Sequence, residues 1–174
     1  PPEIVDMLRK LVLWGSVIAA VVLSVIFGVI FASEWEIFLR FASSVSFEQE
    51  DPVFGRDLSF YVFTLPVYNF IQTWLLGAAI VVLLATAGVY FAHYTIRGVK
   101  LELTSGLKVH LSIIAALLMF VLAWGHWLDR WDLLLSGRGA VFGAAYADIH
   151  ARKPALMILT IIATASGVLM LVNA

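Results

Sequence analysis

Leu11–Ala32 reads LVLWGSVIAAVVLSVIFGVIFA, a run broken only by the hydroxyls of Ser16 and Ser24. About 20 such residues suffice for a helix to cross a hydrocarbon core of roughly 30 Å. A lone segment in lipid can satisfy its backbone only by bonding within itself as a helix. The run therefore predicts a transmembrane helix over about residues 8–33. Its small residues Ala20, Ser24, Gly28 and Ala32 recur at every fourth position and draw a narrow groove along one face. In a bilayer such a groove lets a second helix backbone approach closely.

Working outward, three further apolar runs predict spans over about 66–96, 108–128 and 154–172. The second carries Gly77, Ala78, Ala85, Gly88 and Ala92 as further close-packing positions. Pro154 opens the last, where its missing N–H would have had no partner anyway. The charges gather between the runs. In 34–63, Trp35, Phe38, Leu39 and Phe41 alternate at helical spacing with Glu34, Glu36 and Arg40, which predicts an interfacial amphipathic helix. Turn signals follow at Asp51-Pro52 and Gly55, and then an aromatic segment suited to the headgroup layer. Arg97–Lys108 predicts a short basic loop, and 129–153 a connection of mixed charge with Gly137, Gly139 and Gly143. The expected fold class is all-α, an integral membrane bundle of four transmembrane helices with interfacial amphipathic segments in the connecting loops, forming one transmembrane domain over 1–174.

Composition agrees with that pattern. Of 174 residues 62% are hydrophobic and 13% charged, against roughly half and about a quarter in ordinary soluble domains. A net charge of −1 supplies no basic field for nucleic acid. The absence of cysteine removes thiolate zinc sites and thiol nucleophiles. A chain that opens on Pro1-Pro2-Glu3 and stops at Asn173-Ala174, with no charged anchor after its last span, is expected to be a piece of a longer protein. Arg97, Lys100 and Lys108 face a single acid, Glu102, in their loop, whereas Arg40 and Arg56 face six acids in theirs. The density of basic residues places the N-terminus on the cytoplasmic side.

The candidates for chemistry are few. His93 and His110 lie near facing ends of consecutive spans, so a hairpin brings them toward one interface, and His126 and His150 repeat the arrangement at the other end. Paired imidazoles on facing helices can ligate haem or a chlorophyll-type pigment, although interfacial histidines more often bond water, headgroups or backbone. His110 and His126 are sixteen residues apart on one helix, about 24 Å at 1.5 Å per residue, and cannot share a metal. With no His-Glu-x-x-His pattern, no metal site is expected. Asp129, Arg130 and Asp132 at the end of the third span are expected to pair at the interface, and Asp148 to orient the start of the fourth. An acid and base pair of Asp148 and His150 near Tyr146 lacks a nucleophile motif, so no catalytic residue is assigned. The span middles hold no acid or base, and beyond the serines of the first span only the hydroxyls of Thr86, Ser112, Thr160, Thr164 and Ser166 approach a polar midplane, which argues against a transporter relay. Trp35, Trp127 and Trp131 fit an aromatic belt.

Two segments, DPVFGRDLSFYVFTLP (Asp51–Pro66) and VFGAAYADIHARKP (Val141–Pro154), with Leu128-Asp129-Arg130 in the same order between them, resemble uncharacterised protein family 0182, a group of large bacterial membrane proteins. The resemblance covers nearly the whole chain. It implies a seven-span protein with a large extracytoplasmic region, of which this chain corresponds to the third through sixth spans. It also implies a multi-pass place in the bacterial cytoplasmic membrane with the N-terminus inside. No activity or cofactor is implied. The reading that follows is a non-enzymatic anchoring or assembly domain, or a subunit of a membrane complex, with the lipid bilayer and either other membrane subunits or the rest of its own polypeptide as partners. A haem- or pigment-binding subunit and part of a transporter are the alternatives.

Overall fold

The computed structural model describes residues 2–97, 104–137 and 143–174. Lys100 and Glu102 of the expected basic loop, and Gly139 of the expected glycine-rich connection, lie outside the described residues.

The first helix, α1 (Pro2–Ser33), starts earlier than the apolar run suggests. Pro2 is tolerated in a first turn, and Glu3 there complements the positive end of the helix dipole. At Glu34 (φ −96°, ψ 20°) the chain leaves the helix for one residue and re-enters as the short α2 (Trp35–Ala42), the expected amphipathic segment. Phe38 of α2 folds back on Phe31, ring centres 5.1 Å apart, and meets Phe70 at 5.9 Å. α3 (Leu65–Arg97) and α4 (Ser105–Asp132) form the next hairpin.

α4 is longer at both ends than the expected 108–128. Extended Thr104 turns the chain in, and its carbonyl accepts the Lys108 N–H at 3.0 Å. At the far end Asp129 and Asp132 do not stop the helix, because Leu128 and Trp131 continue its buried face through the charges. A 3₁₀ turn (Leu133–Leu135) follows, and α5 (Lys153–Val172) completes the set. Together with the turns that extend them, α1, α3, α4 and α5 are each long and apolar enough to cross a membrane.

Two wide π turns precede α3 and α5, at Phe60–Thr64 and Asp148–Arg152. They share a layout, in which the Leu65 N–H bonds Phe60 O and the Lys153 N–H bonds Asp148 O, each followed at once by a proline, Pro66 or Pro154. A proline clashes with the carbonyl four residues back in a regular helix. Widening the turn by one residue moves that carbonyl aside.

α5 packs on α4, α4 on α3, and α1 mainly on α3 and α2. The α4–α5 approach is close at Gly167, where an added Cβ would fall 2.9 Å from the Phe120 ring. At the α2 end of the bundle, Tyr61, Leu65, Leu128 and Trp131 form a buried cluster. Leu65 and Leu128 are only 1% exposed. This end is called the cap, and the opposite end, holding the start of α1, the base.

Candidate functional site

The cap is assembled around acids that hold backbone. Asp51 Oδ1 accepts the N–H groups of Val53 (2.8 Å) and Phe54 (2.6 Å), and Oδ2 accepts those of Arg56 (3.0 Å) and the Tyr61 hydroxyl (2.8 Å). The loop closes with Asp51 N–H to Arg56 O at 2.8 Å and with Gly55 in the left-handed region (φ 62°) that glycine enters without strain. Burial pushes the Asp51 carboxyl up, but the Phe54 and Arg56 N–H groups, the Tyr61 hydroxyl and the Val53 N–H outweigh it and hold the carboxyl below its ordinary 3.8. Asp57 does the same for the preceding strand of chain. It takes the Ser46 hydroxyl and the N–H groups of Phe47, Glu48 and Ser59. The Ser46 and Ser59 hydroxyls are the main cause of its depressed pKa.

The segment Val141–Pro154, in its described residues from Gly143 on, meets Asp51–Pro66 here. Asp148 orients the entry to the turn it begins, accepting Ala145 N–H at 3.0 Å from the chain before it and Arg152 Nη1 at 2.9 Å from the turn's end. Lys153 places its ammonium 4.4 Å above the Phe54 ring, tying α5 to the Asp51 loop. Asn69 of α3 donates both of its contacts, at 3.1 and 2.9 Å, to the Asp132 carboxylate of α4. Asp129, Asp132 and Arg152 then line a cavity of about 480 Å³ with Ser136 and Leu156. The expected pairing of Arg130 with a neighbouring aspartate is not what the structure shows. Its guanidinium lies over Trp127 and Trp131, with Nε bonded to Trp127 O at 3.1 Å, while Asp129 faces His126 at 3.7 Å.

The histidines separate into two cases. His93 and His110 line one cavity of about 460 Å³ near the base with Thr86 and Tyr90, and the Tyr90 hydroxyl lies 3.2 Å from His110 Nδ1. His126 and His150 do not repeat this arrangement. His150 stacks on Tyr146 (3.9 Å) and bonds its carbonyl at 3.0 Å, and His126 has Asp129. His150 and Asp148 therefore take different partners. Among the described residues, no three or more His, Asp or Glu side chains converge as metal ligands would.

The small-residue stripe of α1 lines a groove. Ala20, Ser24 and Gly28 face Ala78, Ala85, Gly88 and Ala92 of α3 across about 700 Å³ of apolar space. Ala32 lies beyond it. An added Cβ at Gly28 or Gly88 would meet nothing within 4 Å, so the two helices do not close on each other there. They touch nearer the cap, where Trp74 donates its indole N–H to Phe27 O at 3.1 Å and meets the rings of Phe27 and Phe31.

Sequence reasoning missed Asn69, Gln72 and Arg56. Gln72 reaches from α3 to Val121 O of α4 at 3.2 Å, in the space left by Gly125, where a Cβ would fall 2.5 Å from the amide nitrogen. Asn69 and Gln72, spaced i and i+3 inside an apolar run, share one helix face, and that spacing was the available signal.

The family model for an uncharacterised protein family, UPF0182, matches residues 2–174. A UPF0182 protein of Moorella thermoacetica is 38% identical over 153 residues, covering 87% of this chain and 17% of the relative. One from Synechococcus sp. (strain JA-2-3B'a(2-13)) is 35% identical over 162 residues, covering 92% and 19%. One from Frankia alni is 37% identical over 169 residues, covering 94% and 16%. The chain thus spans under a fifth of the length of these curated relatives. No solved structure matches it.

Proposed function

The chain belongs to the uncharacterised protein family UPF0182, and on that premise we propose that it is a non-enzymatic assembly domain of the bacterial cytoplasmic membrane, whose α1–α3 groove receives a further transmembrane helix of the same polypeptide. The observation that carries this reading is the groove itself. It is lined from both sides by small residues and open at Gly28 and Gly88, the composition that helix interfaces in lipid use. Relatives more than five times as long as the matched region supply chain from which such a helix can come. The cap, by contrast, spends its acids on its own backbone, which suits a structural role. The density of basic residues in the α3–α4 connection supports a cytoplasmic N-terminus, with the cap facing outward.

The test is a photo-crosslinking residue at position 28 or 88 of the full-length protein in native membranes. The expected adduct is intramolecular and maps to a segment outside residues 1–174. Adducts to lipid alone would remove the reading, and adducts to a different protein would replace the occupant with a separate subunit.

A second reading rests on His93 and His110 lining one cavity, as ligands of a tetrapyrrole would. A Soret band in the purified protein that His110→Ala abolishes would establish it. The assembly reading expects a colourless protein.

A further inference from the structure

Two guanidinium groups from distant parts of the chain meet on one buried indole. Arg56, in the Asp51 loop, holds its Cζ 5.5 Å from the Phe60 ring centre and 5.8 Å from that of Trp131. Arg130, in the last turn of α4, holds its Cζ 5.7 Å from Trp131 and 5.4 Å from Trp127. Trp131 is 6% exposed and belongs to the buried cap cluster, so the ring that both cations share is fixed by the fold. Stacking on an aromatic face orients a guanidinium without consuming its N–H groups.

Among the described residues those N–H groups meet no acid. Among the described residues the ion pairs of arginine are Arg40–Glu36 and Arg152–Asp148, and neither Arg56 nor Arg130 takes part in one. The neighbouring carboxylates are committed elsewhere, Asp51 and Asp57 to backbone N–H groups, Asp132 to Asn69 and Asp129 toward His126. Among the described residues Arg130 engages Nε alone, on Trp127 O, and no hydrogen bond is made by the Arg56 guanidinium.

We propose that Arg56 and Arg130 form a binding site for the phosphodiester of a phospholipid headgroup at the cap end of the bundle. A planar guanidinium fork matches two phosphate oxygens, which a point-like ammonium does not. The place is right for a lipid rather than a free anion. Tryptophans at span ends mark the headgroup layer, and Trp127, 36% exposed and 5.4 Å from Arg130 Cζ, gives the glycerol and upper acyl region an apolar surface beside that cation. A net charge of −1 gives the protein no general field to concentrate soluble phosphate. The site does not depend on what fills the α1–α3 groove.

The experiment uses full-length protein in mild detergent, with native mass spectrometry and thermal unfolding in added phosphatidylglycerol or in inorganic phosphate at matched concentration. The wild type is expected to retain phospholipid and to rise in Tm with phosphatidylglycerol, but not with inorganic phosphate. Arg56→Gln with Arg130→Gln should retain at least tenfold less lipid and lose the Tm rise, and Arg→Lys at both positions should fall between. Arg40→Gln, which removes a paired arginine of the same charge, should behave as wild type. If the double variant does not fold, Arg56→Gln alone, on an exposed loop residue, carries the test. Equal lipid retention by the glutamine variants would overturn the site, and an equal response to inorganic phosphate would overturn its assignment to lipid.

Discussion

The cap and the α1–α3 groove are built from the same kind of chain and hold together by opposite means. In the cap, acids accept backbone N–H groups, an asparagine grips a carboxylate, and a tryptophan is enclosed by rings and cations. In the groove, small side chains face one another across open space, and one indole hydrogen bond secures the helix pair. No residue in the most apolar stretch of α1 is buried, against 28% in that of α4. The contrast teaches where order comes from in a lipid-facing protein. Lipid tails are as apolar as leucine, so apolar surface alone does not draw helices together. Helices stay together where polar groups need partners or where small residues let backbones meet. α3 to α5 have both, whereas α1 has the small residues without a neighbour that uses them.

The sharpest way to break this comparison is to remove the acid at the centre of the cap. Asp51→Ala leaves three N–H groups and the Tyr61 hydroxyl without their acceptor, and should cost about 3–5 kcal/mol. Thermal unfolding in detergent would show it, while the helical circular dichroism of the spans persists.

Acid should act on the same place. The Asp51 and Asp57 carboxyls both titrate below 3.8 when folded, so their contribution is fully present above that value and lost as pH falls beneath it through the folded pKa values. Amide exchange at Val53, Phe54 and Arg56 should accelerate in that window. The α1–α3 helix pair, which lacks such an acid, should not respond.

Between the two regions lies the α4–α5 seam, where Gly167→Ala drives a methyl toward the Phe120 ring. A loss of about 1–3 kcal/mol is expected from overpacking, visible as a lower Tm. Gln72→Leu removes a hydrogen bond between α3 and α4 and should cost about 0.6 kcal/mol, the typical value for one such bond in a membrane protein. Smallest of all, Gly28→Leu in the 174-residue chain should change stability by less than about 0.5 kcal/mol, because its side chain enters open space. In the full-length protein the same substitution should be plainly destabilising. Equal effects in the two would mean that no helix occupies the groove.

Much of this architecture was legible in the sequence, and for a physical reason. A span must be apolar for about 20 residues whatever it packs against, so Leu11–Ala32 and its three counterparts announce themselves. The stripe of Ala20, Ser24 and Gly28 also declares a face, though not whether that face is filled within the chain. The cap was harder. Asp51 looks like a turn residue and proves to be an acceptor for four donors, and Arg130 sits beside two aspartates yet turns to rings. Proximity along a helix does not decide such pairings, because residues one apart point in different directions while residues three or four apart share a face. The partnership of Arg56 with Trp131 depends on a loop folding against a helix end 75 residues away, which no local pattern records.

The two π turns carry a consequence for the lineage of this chain. Each adds one residue to a turn, and one residue of helix is worth about 100° of rotation. The turns therefore act as phase settings between the cap and the spans they lead into. Losing a single residue from Phe60–Thr64 or Asp148–Arg152 would leave an acceptable helix of nearly the same length, but would swing every side chain of α3 or α5 to another compass bearing. Asn69 and Gln72 would then point away from α4, and Gly167 away from Phe120. In these two short stretches substitutions are tolerable in ways that insertions and deletions are not, so a fixed spacing to Pro66 and Pro154 is the mark by which distant members of the lineage should be aligned.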